Sequence, residues 1–248
     1  MTTPTQATNK VNIPVLAGAL GLISAVATAG LVWVYMITAE PIKLQKVKAT
    51  NAALMKVLPA FDNAPAESKI IVGKDKDGNT VVDLESKLKE NKTLADLKET
   101  IVIFPATKDG KVVGFAGEGK SPLGFGGDVK AMVGLKADGS ILVGIITGHQ
   151  ETPGLGTAIT DRVRSKTIFD VLGMGEEVDE SQLPPNATLD QFAGMTATNT
   201  PWSVKKDGGS VDFVSGATIT SRAATDAFYK IASAYTLNKE KIAAVLAQ

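Results

Sequence analysis

Between Lys10 and Glu40 the chain has 29 consecutive residues without a charged side chain, with Trp33 and Tyr35 near the end of the stretch. The hydrocarbon core of a bilayer is about 30 Å thick, and a helix of about 20 apolar residues crosses it. A cleaved signal peptide is the alternative, but its apolar region has only about 7–15 residues, and Ile-Thr-Ala at 37–39 is only a passable cleavage site. We therefore expect a retained transmembrane helix over residues 11–39, after a short tail over residues 1–10.

The basic residues that flank this stretch are unevenly divided. Lys10 and the amino terminus precede it, whereas four lysines follow it, at positions 43, 46, 48 and 56. The positive-inside rule counts Lys and Arg close to a membrane span and places the richer side in the cytoplasm. By charge counting alone, the large C-terminal part of the chain would be cytoplasmic.

The composition limits the chemistry that this chain performs with its own side chains. Its 248 residues include 26 Lys+Arg, 26 Asp+Glu, one His and no Cys. The lack of Cys excludes disulfides, Cys-ligated zinc, iron–sulfur clusters and thiol nucleophiles, and a single His excludes a multi-His metal centre. We expect no metal site, and the balanced charge argues against a nucleic-acid partner. Any demanding chemistry would have to be carried by a bound cofactor.

Beyond residue 40 the hydrophobic pattern predicts an α+β fold. Apolar residues at helical spacing predict helices over 42–58 and 218–237, with shorter pieces over 166–174 and 186–193 and a last amphipathic piece after Asn238. Strands separated by Gly-rich or Asp-Gly turns are predicted over 101–104, 111–115, 128–135, 141–146 and 210–214, and a hairpin tip over 74–79. We therefore expect a single N-terminal transmembrane helix, then a membrane-proximal helix and variable region over 40–100. An antiparallel-sheet domain with flanking helices follows over 101–248.

The first informative motif covers residues 212–221 and reads Asp-Phe-Val-Ser-Gly-Ala-Thr-Ile-Thr-Ser. This pattern predicts a strand that enters a tight turn at Gly216, followed by a helix that begins among hydroxyl side chains. Free backbone N–H groups and the positive end of a helix form an anion site, so Ser215, Ala217, Thr218 and Thr220 are candidates to surround a phosphate. The alternative is a helix capped by its own Ser and Thr side chains, without a ligand.

The second motif covers residues 148–156 and reads Gly-His-Gln-Glu-Thr-Pro-Gly-Leu-Gly, directly after a predicted strand. A Pro-Gly-x-Gly loop brings backbone close to a neighbouring group, so Thr152, Gly154 and Leu155 are candidate contacts. Glu151 could accept hydrogen bonds from a heterocycle or from the helix of the first motif; alternatively, it is simply solvated in a tight reversal. A hydrolase would depend on His149 and Ser121, Ser215 or Ser221, none of which lies in a Gly-x-Ser-x-Gly elbow.

Together, the two motifs resemble the FMN-binding domain family, whose flavin is attached through its phosphate to a threonine. The resemblance covers about residues 123–235 and includes Gly-Phe-Gly-Gly at 124–127. It implies that a flavin transferase joins FMN by a phosphoester to Thr218, with Asp212 at the acidic position of the transferase recognition motif. The isoalloxazine ring would then be oriented by the loop over 151–156.

Two families of membrane proteins share this pattern: the G subunit of the Rnf electron-transport complex and the C subunit of the sodium-translocating NADH:quinone reductase. Three features are more similar to the Rnf protein: His149 directly before Gln-Glu-Thr-Pro-Gly-Leu-Gly, the segment from Trp202 to Gly209 before the first motif, and Thr-Ser-Arg-Ala at 220–223. That resemblance implies a covalent-FMN electron relay within a ferredoxin:NAD⁺ oxidoreductase that pumps sodium ions or protons.

The same resemblance implies partner subunits and a single-pass position in the bacterial inner membrane. The FMN domain would lie on the periplasmic side, against the lysine count. A membrane-anchored module that binds another phosphorylated ligand, without a redox role, is the alternative from a different functional class.

Overall fold

The computed structural model of the protein describes residues 13–90, 96–162, 183–199 and 201–247. The chain divides into two units, residues 1–49 and residues 50–248. The helical piece predicted over 166–174 and the predicted tail over 1–10 lie outside the described residues.

The first unit contains most of helix α1 (Ile13–Val57), which has Pro41 in its interior. Mean hydropathy reaches 2.1 over an 18-residue window of this helix, which by length and composition is able to cross a membrane. Its large apolar side chains from Ile13 to Ile37 are all exposed, as expected for a span that meets lipid or other helices. The helices predicted over 11–39 and 42–58 are one continuous helix, which ends at Val57 because Pro59 disfavours a helical residue before it.

The second unit is built on one six-stranded antiparallel sheet. Its strands are β1 (Ile70–Lys74), β2 (Thr80–Leu84), β3 (Lys98–Lys108), β4 (Lys111–Ser121), β5 (Val129–Leu135) and β6 (Ile141–Gly148). Their order across the sheet is β2-β1-β3-β4-β5-β6. The predicted antiparallel α+β fold is confirmed, and β1 and β2 form the hairpin whose tip is predicted over 74–79. The predicted domain boundary at 100/101 falls inside β3.

Helices pack on both faces of this sheet. The short helices are α2 (Glu85–Glu90), α3 (Thr157–Thr160) and α4 (Ala187–Asp190), and the long C-terminal helix is α5 (Thr218–Leu246). Alternate residues of a strand point to opposite faces: Ile101 and Ile103 pack with α5, whereas Phe104 packs with Leu54 and Val57 at the end of α1. The sheet is therefore enclosed between α5 and the last turns of α1.

Strand β4 lies unusually close to α5. A Cβ atom added at Gly117 would be 2.2 Å from Ile231 Cγ2, so a larger residue would push the helix away from the sheet. The sequence pattern assigns Gly117 to a turn because glycine is depleted in strands, but the structure places it inside β4. Here the close approach of a helix, and not a chain reversal, requires glycine.

Two features of the C-terminal region differ from the sequence prediction. Residues 210–214 do not form a strand; Val211 makes only a single bridge to Val204. Helix α5 does not stop at residue 237 but continues to Leu246 through a kink at Asn238, where φ is −120° and ψ is 15°. The final amphipathic piece is thus the continuation of α5.

Candidate functional site

The first motif forms the turn that leads into α5. Gly216 has φ of +88°, a conformation that glycine adopts without steric cost, and this confirms the predicted turn. Ala217 occupies the N-cap position, where no side-chain cap is present among the described residues. Ser215 is exposed and Thr218, the first helical residue, is half-buried. The capping by Ser and Thr side chains that the alternative predicts is not present at this N-cap, so the first N–H groups of α5 have no side-chain acceptor there.

The hydroxyls that follow Thr218 are used within the fold. Thr220 Oγ1 donates to Glu151 Oε2, and Ser221 Oγ donates to the Ala217 carbonyl at 3.1 Å. Both of these residues are buried. The Thr218 hydroxyl makes no such hydrogen bond among the described residues. It lines a cavity beside the start of α5.

Glu151 links the two motifs through its carboxylate. The residue is only 5% exposed; its Oε1 accepts from the Gly126 N–H at 3.1 Å, and its Oε2 accepts from Thr220. The predicted hydrogen bond to the helix of the first motif is present, and the alternative of a solvated side chain is wrong. A buried carboxylate needs such donors to offset the loss of hydration, so Glu151 joins the loop at 124–127, its own loop and α5.

Two glycines make room for this arrangement. A Cβ atom at Gly126 would be 1.8 Å from the Gln150 carbonyl oxygen, and one at Gly156 would be 2.6 Å from Glu151 Cβ. Any larger residue at either position would separate the loop from the carboxylate. The glycines of the second motif and of the 124–127 loop therefore serve close packing around Glu151.

His149 holds the same loop through hydrogen bonds of its ring. Its Nδ1 accepts from the Glu151 N–H at 3.2 Å, and its Nε2 lies 2.7 Å from Asp161 Oδ1. Because Nδ1 accepts, the ring proton is on Nε2 and is donated to Asp161. The only histidine of the chain has a structural role in orienting the loop.

A short 3₁₀ turn, Lys205–Asp207, lies beside the start of α5. Arg222 on α5 donates from Nε and Nη2 to the two carboxylate oxygens of Asp207, each at 2.7 Å. This pair lowers the pKa of the Asp207 carboxyl from its ordinary value of 3.8, chiefly through the hydrogen bond from Arg222. The turn is thereby tied to the helix.

Asp212 lies in the segment that connects this turn to the first motif, and its carboxylate is exposed. Lys205 Nζ is 2.6 Å from Asp212 Oδ1. The side-chain amide of Gln191 accepts from the Asp212 N–H at 2.6 Å and donates to its carbonyl at 3.1 Å. The backbone N–H and carbonyl of Asp212 thus bond to the Gln191 side chain and not to a neighbouring strand. This explains why no strand forms over 210–214.

A cavity of about 480 Å³ opens between the two motifs. Most of the predicted site residues line it, namely Glu151, Thr152, Leu155, Gly216, Ala217, Thr218 and Thr220. Ser215, Gly154 and Asp212 were also predicted but are not part of the lining. The remaining lining residues are Phe125, Gly156, Lys206, Ile219 and Arg222.

Gly156 lies in the loop predicted to orient the ring, whereas the other four were not predicted as site residues, and of these only Ile219 lies within a motif. Phe125 is 70% exposed, and a bulky aromatic between glycines is the signal that could have indicated it. Lys206 and Arg222 are brought to the cavity by the tertiary contact with Asp207, for which no local spacing gives a signal.

The cavity has the features of a site for an anion joined to a flat apolar group. Its volume is in the range of small-molecule sites, about 300–1,000 Å³. The uncapped helix start and Lys206 provide positive potential at one part of the lining. The side chains of Phe125, Leu155 and Ile219 provide apolar surface, and all three are exposed.

Comparison with known proteins agrees with this geometry. Residues 124–233 match the sequence model of the FMN-binding domain family. The chain is 30% identical over 221 residues to the G subunit of the ion-translocating oxidoreductase complex of Pseudoalteromonas atlantica, covering 88% of this chain and 86% of that protein. It is 31% identical over 205 residues to the G subunit of the same kind of complex in Vibrio parahaemolyticus, covering 81% and 79%. The chain therefore belongs to the family of ion-translocating oxidoreductase complex G subunits.

Proposed function

We propose that this chain is the FMN-carrying electron-relay subunit of a membrane-bound, ion-translocating oxidoreductase complex. The observation that carries the proposal is the cavity in which Thr218, at an uncapped helix start, lies with the loop held by Glu151. The match to the FMN-binding domain and the similarity to G subunits over most of the chain support it. The helix α1 supports attachment to a membrane, and the names of the relatives support assembly with further subunits of such a complex.

The residues of the cavity fit FMN in two parts. The phosphate fits the start of α5, where the positive end of the helix and free N–H groups favour an anion. The isoalloxazine ring fits beside Phe125 and Leu155, whose exposed apolar side chains a flat heterocycle would cover. When bound, FMN supplies one-electron chemistry that this set of side chains lacks.

We infer further that the flavin is covalently attached through a phosphoester to Thr218. In the joining step the Thr218 Oγ forms a bond to the flavin phosphorus, the bond from phosphorus to the leaving oxygen breaks, and the hydroxyl proton leaves with that oxygen. The net addition is FMN less one water. The half-buried position of Thr218 and its freedom from structural hydrogen bonds support this residue over Thr220 and Ser221.

Attachment requires a flavin transferase as a maturation partner. Asp212 is exposed and lies six residues before Thr218, so it is accessible to such an enzyme. Its pairing with Lys205 holds the carboxylate near the start of the motif. We propose Asp212 as the acidic group that the transferase recognises.

The test is intact mass followed by peptide mapping of the chain co-expressed with a flavin transferase. We expect one FMN less one water on the peptide that contains Thr218. Thr218→Ser, which keeps a hydroxyl, should retain the addition, and Thr218→Val should lose it. Thr198→Val, a matched change at an exposed threonine away from the cavity, should be loaded like the wild type.

Other outcomes separate the alternatives. A flavin retained on Thr218→Val would place the attachment elsewhere. A colourless, unmodified wild type would favour a membrane-anchored module that binds another phosphorylated ligand. Co-purification of neighbouring subunits with ferredoxin-linked rather than quinone-linked activity would distinguish an Rnf complex from the sodium-translocating quinone reductase.

A further inference from the structure

We propose that Lys206 is the cationic partner of the flavin phosphate. The inference rests on the proposed attachment of FMN at Thr218. It concerns a residue outside both motifs, on the turn Lys205–Asp207, and it assigns to that turn a binding role.

The charges around the cavity single out this lysine. Three charged residues line the cavity: Glu151, Lys206 and Arg222. The Glu151 carboxylate accepts from Gly126 and Thr220, and the Arg222 guanidinium is paired with both oxygens of Asp207. Lys206 is the cation of the lining that forms no salt bridge within the described ranges of the chain, although the neighbouring Asp207 carboxylate attracts it through space. The Lys206 ammonium therefore has its hydrogen-bond donors available for an anion that enters the cavity.

The position of Lys206 is coupled to the helix that carries Thr218. Arg222 lies one turn beyond Thr218 on α5, and its paired hydrogen bonds hold Asp207, the neighbour of Lys206. Two such parallel bonds fix orientation as well as distance. The turn therefore stays beside the helix start, which keeps Lys206 in the lining of the cavity.

The chemistry of a phosphodiester suits this arrangement. After attachment the phosphate keeps one negative charge, which the helix start alone stabilises only partly and which salt screens. A flexible ammonium is a point charge that follows the phosphate without requiring a planar geometry. Lys206 would thus bind the phosphate, leaving the apolar side chains to contact the ring.

A double-mutant cycle in the full chain, purified in detergent, tests this role. Thermal unfolding midpoints are compared for wild type and Lys206→Gln, each with FMN on Thr218 and each in the flavin-free Thr218→Val background. We expect Lys206→Gln to lower the Tm by about 2–4 °C more in the FMN-bearing chain than in the flavin-free chain. The difference should shrink at about 1 M salt. Lys241→Gln, at an exposed position near the other end of α5, should show no such difference.

Phosphorus NMR of the FMN-bearing chains supplies a direct readout at the phosphate. We expect the phosphodiester resonance to shift in Lys206→Gln and to stay in place in Lys241→Gln. Equal Tm losses in both backgrounds with an unshifted resonance would overturn the proposal. So would a changed flavin midpoint potential with an unshifted resonance, because the lysine would then face the ring.

Loading itself separates this inference from the proposed function. If mass spectrometry finds no FMN on Thr218 of the wild type, the proposed function fails and the role of Lys206 fails with it. If only Lys206→Gln is not loaded, Lys206→Arg decides. Restored loading by arginine supports a requirement for positive charge, and a failure of arginine to restore it contradicts the proposal.

Discussion

At the scale of single residues, the Glu151 carboxylate is the point where three segments of the site meet. It is nearly inaccessible to water and receives hydrogen bonds from a backbone amide in one loop and from a hydroxyl on α5. Its own backbone amide is held by His149. Removing the carboxylate would leave the Gly126 N–H and the Thr220 hydroxyl without their acceptor.

We expect Glu151→Ala to lower the free energy of unfolding by about 1–3 kcal/mol, the cost of leaving buried polar groups unsatisfied. Glu151→Gln should cost less, because its amide can accept from Gly126 and donate to Thr220 in the same geometry. Chemical denaturation of the flavin-free chain measures both. Glu240→Ala, at an exposed site on α5, is the matched control and should change stability by less than about 0.5 kcal/mol. An effect of Glu151→Ala no larger than that of Glu240→Ala would contradict the linking role.

At the scale of secondary-structure elements, the packing of α5 on β4 depends on small residues in the strand. A Cβ atom at Gly117 would fall within 2.2 Å of Ile231 Cγ2, and Ile231 is fully buried. Gly148 on β6 differs, because an added Cβ atom would meet only the Lys130 side chain at an ordinary 3.5 Å. The two glycines therefore provide a test of close helix–sheet contact.

We predict that Gly117→Ala destabilises the chain by about 1–3 kcal/mol through overpacking. The loss should be smaller in an Ile231→Ala background, where the clashing methyl group is missing. Gly148→Ala should be tolerated. Denaturant unfolding of the four variants gives the coupling between positions 117 and 231, and additive effects of the two changes would argue against the contact.

The sequence predicted most elements because their signals are local. Strands β3, β5 and β6 follow from apolar runs with Asp-Gly turns between β3 and β4 and between β5 and β6, and α5 follows from apolar residues at helical spacing. The full length of β4 could not be predicted, since its glycines are explained only by the helix that packs on them. Likewise, residues 210–214 alternate like a strand, but the Gln191 side chain takes up the backbone bonds of Asp212.

The candidate site divides in the same way. Glu151 and Thr218 could be predicted because each lies in a short motif with its own local geometry. The fold then brings both residues to one cavity. Lys206 and Arg222 could not be predicted: they reach the cavity through an ion pair between residues 15 positions apart in sequence. An ion pair of that kind depends on the tertiary fold and produces no periodic pattern in the sequence.

At the scale of the whole molecule, the flanking lysines and the family resemblance favour opposite sides of the membrane for the FMN-binding unit. Four lysines follow the apolar stretch of α1, whereas only Lys10 precedes it. The lysine count favours a cytoplasmic domain, but long domains are translocated largely regardless of charge, and partner helices also impose orientation. The family resemblance supports the periplasmic side, and we propose that orientation.

The lack of cysteine makes this proposal directly testable, because any cysteine introduced is the sole thiol of the chain. We expect a membrane-impermeant maleimide to label Lys241→Cys, on the exposed surface of α5, in intact spheroplasts. Thr5→Cys, on the other side of the apolar stretch, should react only after the membrane is permeabilised. Labelling of both variants after permeabilisation controls for the reactivity of each thiol. The reverse pattern, with position 5 labelled and position 241 protected in intact spheroplasts, would show that the flanking lysines and not the translocation of a long domain decide the orientation.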